Sequence, residues 1–150
     1  RADLPTAAGG FAPRRDATAY EALRDRSREL GQPAVVVHTL GTRRDFGARQ
    51  AFVTNLLAAG GISAAQEGAK VAILASSRAG YAEHGASAIE ALRAAGVDTV
   101  LVAGRAGELG ESAGAVDGEV HDGIDVVAFL SDVLDRLAPR DAGTTTEGSR

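Results

Sequence analysis

The chain has 150 residues, 45% of them hydrophobic and 24% charged, and carries a net charge of −4, which fits one globular domain with a buried core. It contains no cysteine, and His38, His84 and His121 follow no zinc-ligand spacing, so disulfides and thiolate chemistry are excluded and a metal site is not expected. An acidic chain without a basic stripe speaks against nucleic-acid binding, which depends on many Lys and Arg contacts to phosphate. No run of about 18 apolar residues and no leader pattern is present, so a cytoplasmic location is expected. Methionine is absent as well. This favours a piece of a longer polypeptide.

Residues 1–15 are rich in Gly, Pro and Ala and read as a linker. Asp16 is a good N-cap for a first helix with Tyr20, Leu23, Ser27 and Leu30 on one face, closed by Gly31 and Pro33. Residues 34–40 form an apolar, β-branched run of the kind that makes a strand buried on both faces of a parallel sheet. A helix follows, with Phe46, Phe52, Val53, Leu56 and Leu57 at helical intervals, and Gly60-Gly61 ends it. Strands are expected at 62–66, 71–75, 99–103 and 118–120. Residues 81–95 predict a helix with Ala82, Ala86, Ile89 and Leu92 inward. The glycine-rich stretch 104–114 predicts a short or frayed helix. Residues 125–137 predict a helix with Val126, Phe129, Leu130, Val133 and Leu137 on one stripe, and residues 139–150 have the composition of a flexible tail.

Alternation of strands and helices predicts an α/β fold, a flavodoxin-like doubly wound parallel sheet occupying residues 16–138. One connection does not conform. Only Glu67-Gly68-Ala69-Lys70 separates the second expected strand from the third, whereas a parallel crossover needs a dozen or more residues. Either a strand-helix excursion has been lost or residues are missing, and a break near Gln66/Glu67 is expected. A Cα to Cα distance of about 3.8 Å there would rule the break out.

Ligands of such sheets sit where a strand's carboxyl end turns into a helix, which directs attention to Gly41-Thr42-Arg43-Arg44-Asp45-Phe46-Gly47. The G-x-G-x-x-G pattern of dinucleotide folds is not met. Nor are the acidic residues of a phosphorelay receiver present, because Leu40-Gly41 and Ser76-Ser77 occupy their places.

The segments RRDATAYEALRDRS, FVTNLLAAGGI, VAILASSRAGYAEHG, ALRAAGVDTVLVAG and GEVHDGIDVVAFLSDVLDRL, in this order, resemble the cobalamin-binding domain of the acyl-CoA mutases, specifically of methylmalonyl-CoA mutase small subunits. In catalytic members the first turn reads D-x-H-x-x-G, where the histidine coordinates cobalt, the aspartate orients it and the glycine lets the helix approach the corrin. Here that motif falls on residues 42–47 and only Gly47 is retained. Thr42 replaces the aspartate and Arg44 the histidine. Arginine stays protonated and offers no lone pair, so Arg44 cannot ligate cobalt. The serine turn beside the nucleotide tail becomes Ser76-Ser77-Arg78, and the paired glycines become Ala103-Gly104.

Thr42, Arg44, Gly47, Ser76 and Gly104 are therefore vestigial cofactor positions, with Arg44 and Arg78 expected around the channel of the nucleotide tail. Blander readings stand beside these: Arg44 as a solvated loop residue, Ser76 and Ser77 as strand-end caps, Asp45 as the cap of the helix beginning at Phe46. His84 reads as exposed and His38 as a core or edge histidine. The resemblance implies a non-catalytic domain of a small subunit. Its homologous large subunit would hold adenosylcobalamin, interconvert methylmalonyl-CoA and succinyl-CoA, and form a heterodimer with it. The alternatives are a cobalamin-binding module without a protein histidine ligand and an unrelated flavodoxin-like interaction domain.

Overall fold

Apolar β-branched runs become the strands, and the amphipathic stretches between them cover both faces of the sheet. The computed structural model describes residues 13–138. Its elements are α1 (Pro13–Glu29), β1 (Ala34–Thr39), α2 (Arg43–Ala59), β2 (Ser63–Ala65), β3 (Val71–Ala75), α3 (Arg78–Ala94), β4 (Thr99–Ala103), a 3-10 segment (Ala106–Ala115), β5 (Gly118–Val120) and α4 (Val126–Leu137). The strands pair in the order β2-β1-β3-β4-β5, all in parallel. This is the flavodoxin-like doubly wound sheet that the alternation predicts.

β3 and β4 are buried at every position, since alternate residues feed two separate cores. Val35, Val37, Ile73, Ala75, Leu101, Ala103 and Val120 meet Leu23 of α1, Val53, Leu56 and Leu57 of α2, and Leu130, Val133 and Leu134 of α4. On the other face Val36, Ala72, Leu74, Val100 and Val102 lie under Tyr81, Ala88, Ile89 and Leu92 of α3 and Leu109 of the 3-10 segment. Each large apolar side chain so covered contributes about 1.5–3 kcal/mol.

Two expectations are corrected here. Ala82 and Ala86 are exposed; α3 turns Tyr81, Gly85, Ala88, Ile89 and Leu92 inward instead. The rotation follows from close approach, because a Cβ on Gly85 would lie 2.7 Å from Leu109 Cδ2. Helix α1 begins at Pro13 rather than after Asp16, as suits a proline, which needs no N–H in the first turn. The rest of the expected linker, residues 1–12, and the expected tail, 139–150, lie outside the described residues.

α1 closes the C-terminal end of α2, whose last carbonyls have no partner within the helix. Ser27 Oγ, buried, donates to Gly60 O at 2.5 Å, and Arg24 Nη1 donates to Ala59 O at 3.2 Å. Gly61 (φ +77°) makes the contact feasible, since a Cβ there would stand 3.1 Å from Ser27 Cβ.

The irregular link 66–70 is short because β2 is short. Ala65 and Ala72 both partner Val36, on opposite sides of β1, so the chain returns almost no distance along the sheet. It crosses only two strand spacings, roughly 10 Å, which five residues can span. Among the described residues this is the one step between successive strands that contains no helical segment, and no described helix is long and apolar enough to cross a membrane.

Candidate functional site at the carboxyl edge of the sheet

Three turns converge where β1, β3 and β4 end. Thr42 is the N-cap of α2, and Asp45 stands three residues on, as a capping box requires. The Asp45 Oδ2 atom accepts from Thr42 N–H at 2.9 Å and from Thr42 Oγ1 at 3.0 Å, while Oδ1 accepts from Ser77 Oγ at 3.0 Å. Thr42's main-chain and side-chain hydrogen bonds, then that of Ser77, hold the Asp45 carboxyl below its usual range. The helix thus begins at Arg43, not Phe46, and Asp45 acts from inside its first turn.

Ser77 caps α3, its Oγ accepting from Gly80 N–H at 3.0 Å. Ser76 is not a cap. Fully buried, its Oγ donates to Leu40 O at 2.8 Å and so clips β3 to the end of β1. Beneath it lies the Tyr81 hydroxyl, which accepts from Ser76 N–H at 3.1 Å, sits 2.5 Å from Ala103 O and 3.1 Å from Leu74 O. Its single proton serves the strand ends, and burial raises the phenol above its ordinary pKa.

Arg49, from the second turn of α2, reaches over these strand ends. Its Nη1 donates to Ser76 O at 3.0 Å and to Glu108 Oε1 at 2.7 Å, and Nη2 donates to Glu108 Oε2 at 3.2 Å. The guanidinium carbon lies 5.8 Å from the centroid of the Tyr81 ring, a cation–π distance. The Glu108 side chain is 7% exposed. Burial pushes its carboxyl up, but Arg49 and the Arg105 N–H outweigh this and leave it lowered. Gly104 (φ +113°) carries the pair, as a Cβ there would lie 2.8 Å from both Arg49 Nη1 and Glu108 Oε2.

Beside the pair is a cavity of about 380 Å³ lined by Ala48, Phe52, Ala103, Gly104, Arg105, Val120, His121 and Asp122 as well as Arg49 and Glu108. At its rim Glu119 accepts from Ala106 N–H at 2.7 Å and faces His121 Nε2 at 3.4 Å.

The structure therefore brings Thr42, Ser76 and Gly104 to one edge, with Arg44 and Arg78 exposed beside it. Gly47 has Arg43 Cγ, at 3.6 Å, as its nearest neighbour, so nothing within the chain requires glycine there. His84 is exposed and His38 half-buried, the latter with its pKa lowered by burial. Arg49, Tyr81 and Glu108 escape the sequence reading. Arg49 and Glu108 are 59 residues apart, and no local spacing links them.

Fold and edge together define a flavodoxin-like domain whose carboxyl edge is occupied by its own side chains. No protein-family model matches the chain. It is similar, however, to the methylmalonyl-CoA mutase small subunit of Propionibacterium freudenreichii subsp. shermanii, 36% identical over 148 residues, covering 85% of this chain and 23% of that protein. A probable methylmalonyl-CoA mutase small subunit of Mycobacterium tuberculosis is 37% identical over 145 residues, covering 83% and 24%. The Streptomyces virginiae methylmalonyl-CoA mutase small subunit is 36% identical over 159 residues, covering 91% and 25%. The chain is thus a relative of methylmalonyl-CoA mutase small subunits over a stretch spanning about a quarter of their length.

The matches are also longer than the chain they cover. In the first, 148 residues compare with 85% of 150, or about 128. That relative carries about 20 residues in the matched stretch which this chain lacks.

Proposed function

We propose that this chain is the non-catalytic C-terminal domain of the small subunit of a heterodimeric, cytoplasmic methylmalonyl-CoA mutase, with a structural or assembly role. The homologous large subunit then holds adenosylcobalamin and interconverts methylmalonyl-CoA and succinyl-CoA. The observation that supports this reading is Arg44, exposed in the first turn, at the position that the resemblance sets against the cobalt-ligating histidine. A guanidinium has no lone pair to give.

The rest of the carboxyl edge fits the cofactor no better. Several polar groups that converge there are paired within the chain: Asp45 with Thr42 and Ser77, Ser76 with Leu40, and Arg49 with Glu108. Such a domain contributes surface rather than chemistry. Cofactor-borne radical chemistry needs a protein that positions the cofactor, and these residues present no ligand to do so. Gly47, where a Cβ would make no contact closer than 3.6 Å, favours a second reading, a module that holds cobalamin without a protein histidine.

Titration of the 150-residue chain with adenosylcobalamin, followed by absorbance and calorimetry, separates the two. The expected result is no saturable binding, with some gained by a Thr42→Asp, Arg44→His double variant. Tight binding by the natural sequence overturns the proposal. Capture of a mutase large subunit by the chain tests the assembly role, and no association at high micromolar concentration counts against it.

A further inference from the structure

We infer that the Arg49–Glu108 ion pair is the built-in occupant of the ligand crevice, and that this pair, more than the missing histidine, keeps a flat heteroaromatic ligand out. The inference deepens the proposed function and rests on it. In a doubly wound sheet, ligands lie outside the carboxyl ends of the strands, where the strand order reverses. Here the order reverses between β1 and β3. The Arg49 guanidinium lies beside that place, over the ends of β3 and β4, bonded to Ser76 O and, through two nitrogens, to Glu108.

Three features argue for an element shaped to fill the space. The Glu108 side chain is 7% exposed and is further held by Arg105 N–H at 3.1 Å. A two-pronged pair of this kind, with the carboxylate buried and the Arg49 side chain 34% exposed, holds its geometry well. Gly104 admits it, because any side chain there collides with both partners at 2.8 Å. Finally, the cavity of about 380 Å³ beside the pair has an apolar part, with Ala48, Phe52, Ala103 and Val120, and a polar part to which Arg49 and Glu108 contribute together with Arg105, His121 and Asp122. An apolar slot with a few convergent polar groups is the usual form of a small-ligand site.

The test uses the full 150-residue chain, a benzimidazole nucleoside as the flat probe, and calorimetry. Wild type shows no saturable binding. An Arg49→Ala, Glu108→Ala double variant with unchanged circular dichroism binds the probe at least about tenfold more tightly than the wild-type detection limit. A folded double variant that binds no better than wild type overturns the inference while leaving the proposed function standing. Wild-type binding of adenosylcobalamin overturns both.

Should the double variant not fold, Glu108→Gln keeps the volume and removes the charge. Amide hydrogen exchange at Arg105, whose N–H bonds to Glu108, is then expected to accelerate by about tenfold, while exchange at Val53 in α2 does not change. Unchanged exchange at Arg105 means the pair does not hold the edge shut, and overturns the inference.

Discussion

Ser77 Oγ donates to Asp45 Oδ1 across 3.0 Å, joining the turn after β3 to the turn after β1 through one carboxylate. The same carboxylate receives both donors of Thr42, so it starts α2 and fastens two turns together. Its lowered pKa means that the charged form is favoured by folding. The stabilisation is present above the unfolded carboxylate pKa and is lost as pH falls through the folded one. We expect Asp45→Asn to lower Tm most near neutral pH, and the gap from wild type to narrow below about pH 4. Thermal melts between pH 2 and pH 7 would check this, and a gap independent of pH would refute it.

Gly47 and Gly104 look alike in the sequence but differ in their surroundings. A Cβ at Gly47 meets no atom closer than 3.6 Å inside α2. Gly47→Ala is therefore expected to stabilise the chain by about 0.5–1 kcal/mol, the helix preference for alanine. Gly104→Ala meets two atoms at 2.8 Å with φ at +113°, and is expected to cost at least about 1–3 kcal/mol. Urea unfolding of both variants measures the contrast. Equal effects would show that the close approach at Gly104 is not what holds glycine there.

Tyr81→Phe removes a hydroxyl that satisfies Ser76 N–H and meets Ala103 O while 1% exposed. Leaving such buried groups unpaired costs about 1–3 kcal/mol. The expected readout is a lower urea midpoint with an unchanged slope. A loss under about 0.5 kcal/mol would mean that water reaches the strand ends and replaces the hydroxyl.

How much of the edge was legible depended on sequence distance. Ser77, Thr42 and Asp45 act within three or four residues of a helix start, where capping rules apply, although the helix starts three residues earlier than the pattern at Phe46 indicates. Ser76 reads as another cap until the structure sets it 2.8 Å from Leu40 O. The inward face of α3 is misread for a related reason. Alanine gives little amphipathic signal, and the contact between Gly85 and Leu109 that sets the rotation of the helix joins elements 24 residues apart.

The amino-acid sequence by itself determined the alternation of buried strands and amphipathic helices, and so the doubly wound sheet, because hydrophobic period and glycine stops are local properties. It also determined that no imidazole stands in the first turn, since Arg44 is plain in the text of the chain. Only the tertiary structure decided what fills the carboxyl edge. Arg49, Tyr81 and Glu108 come from three separate elements, and their meeting depends on strand order and register, which bring distant residues into contact without leaving a periodic trace along the chain.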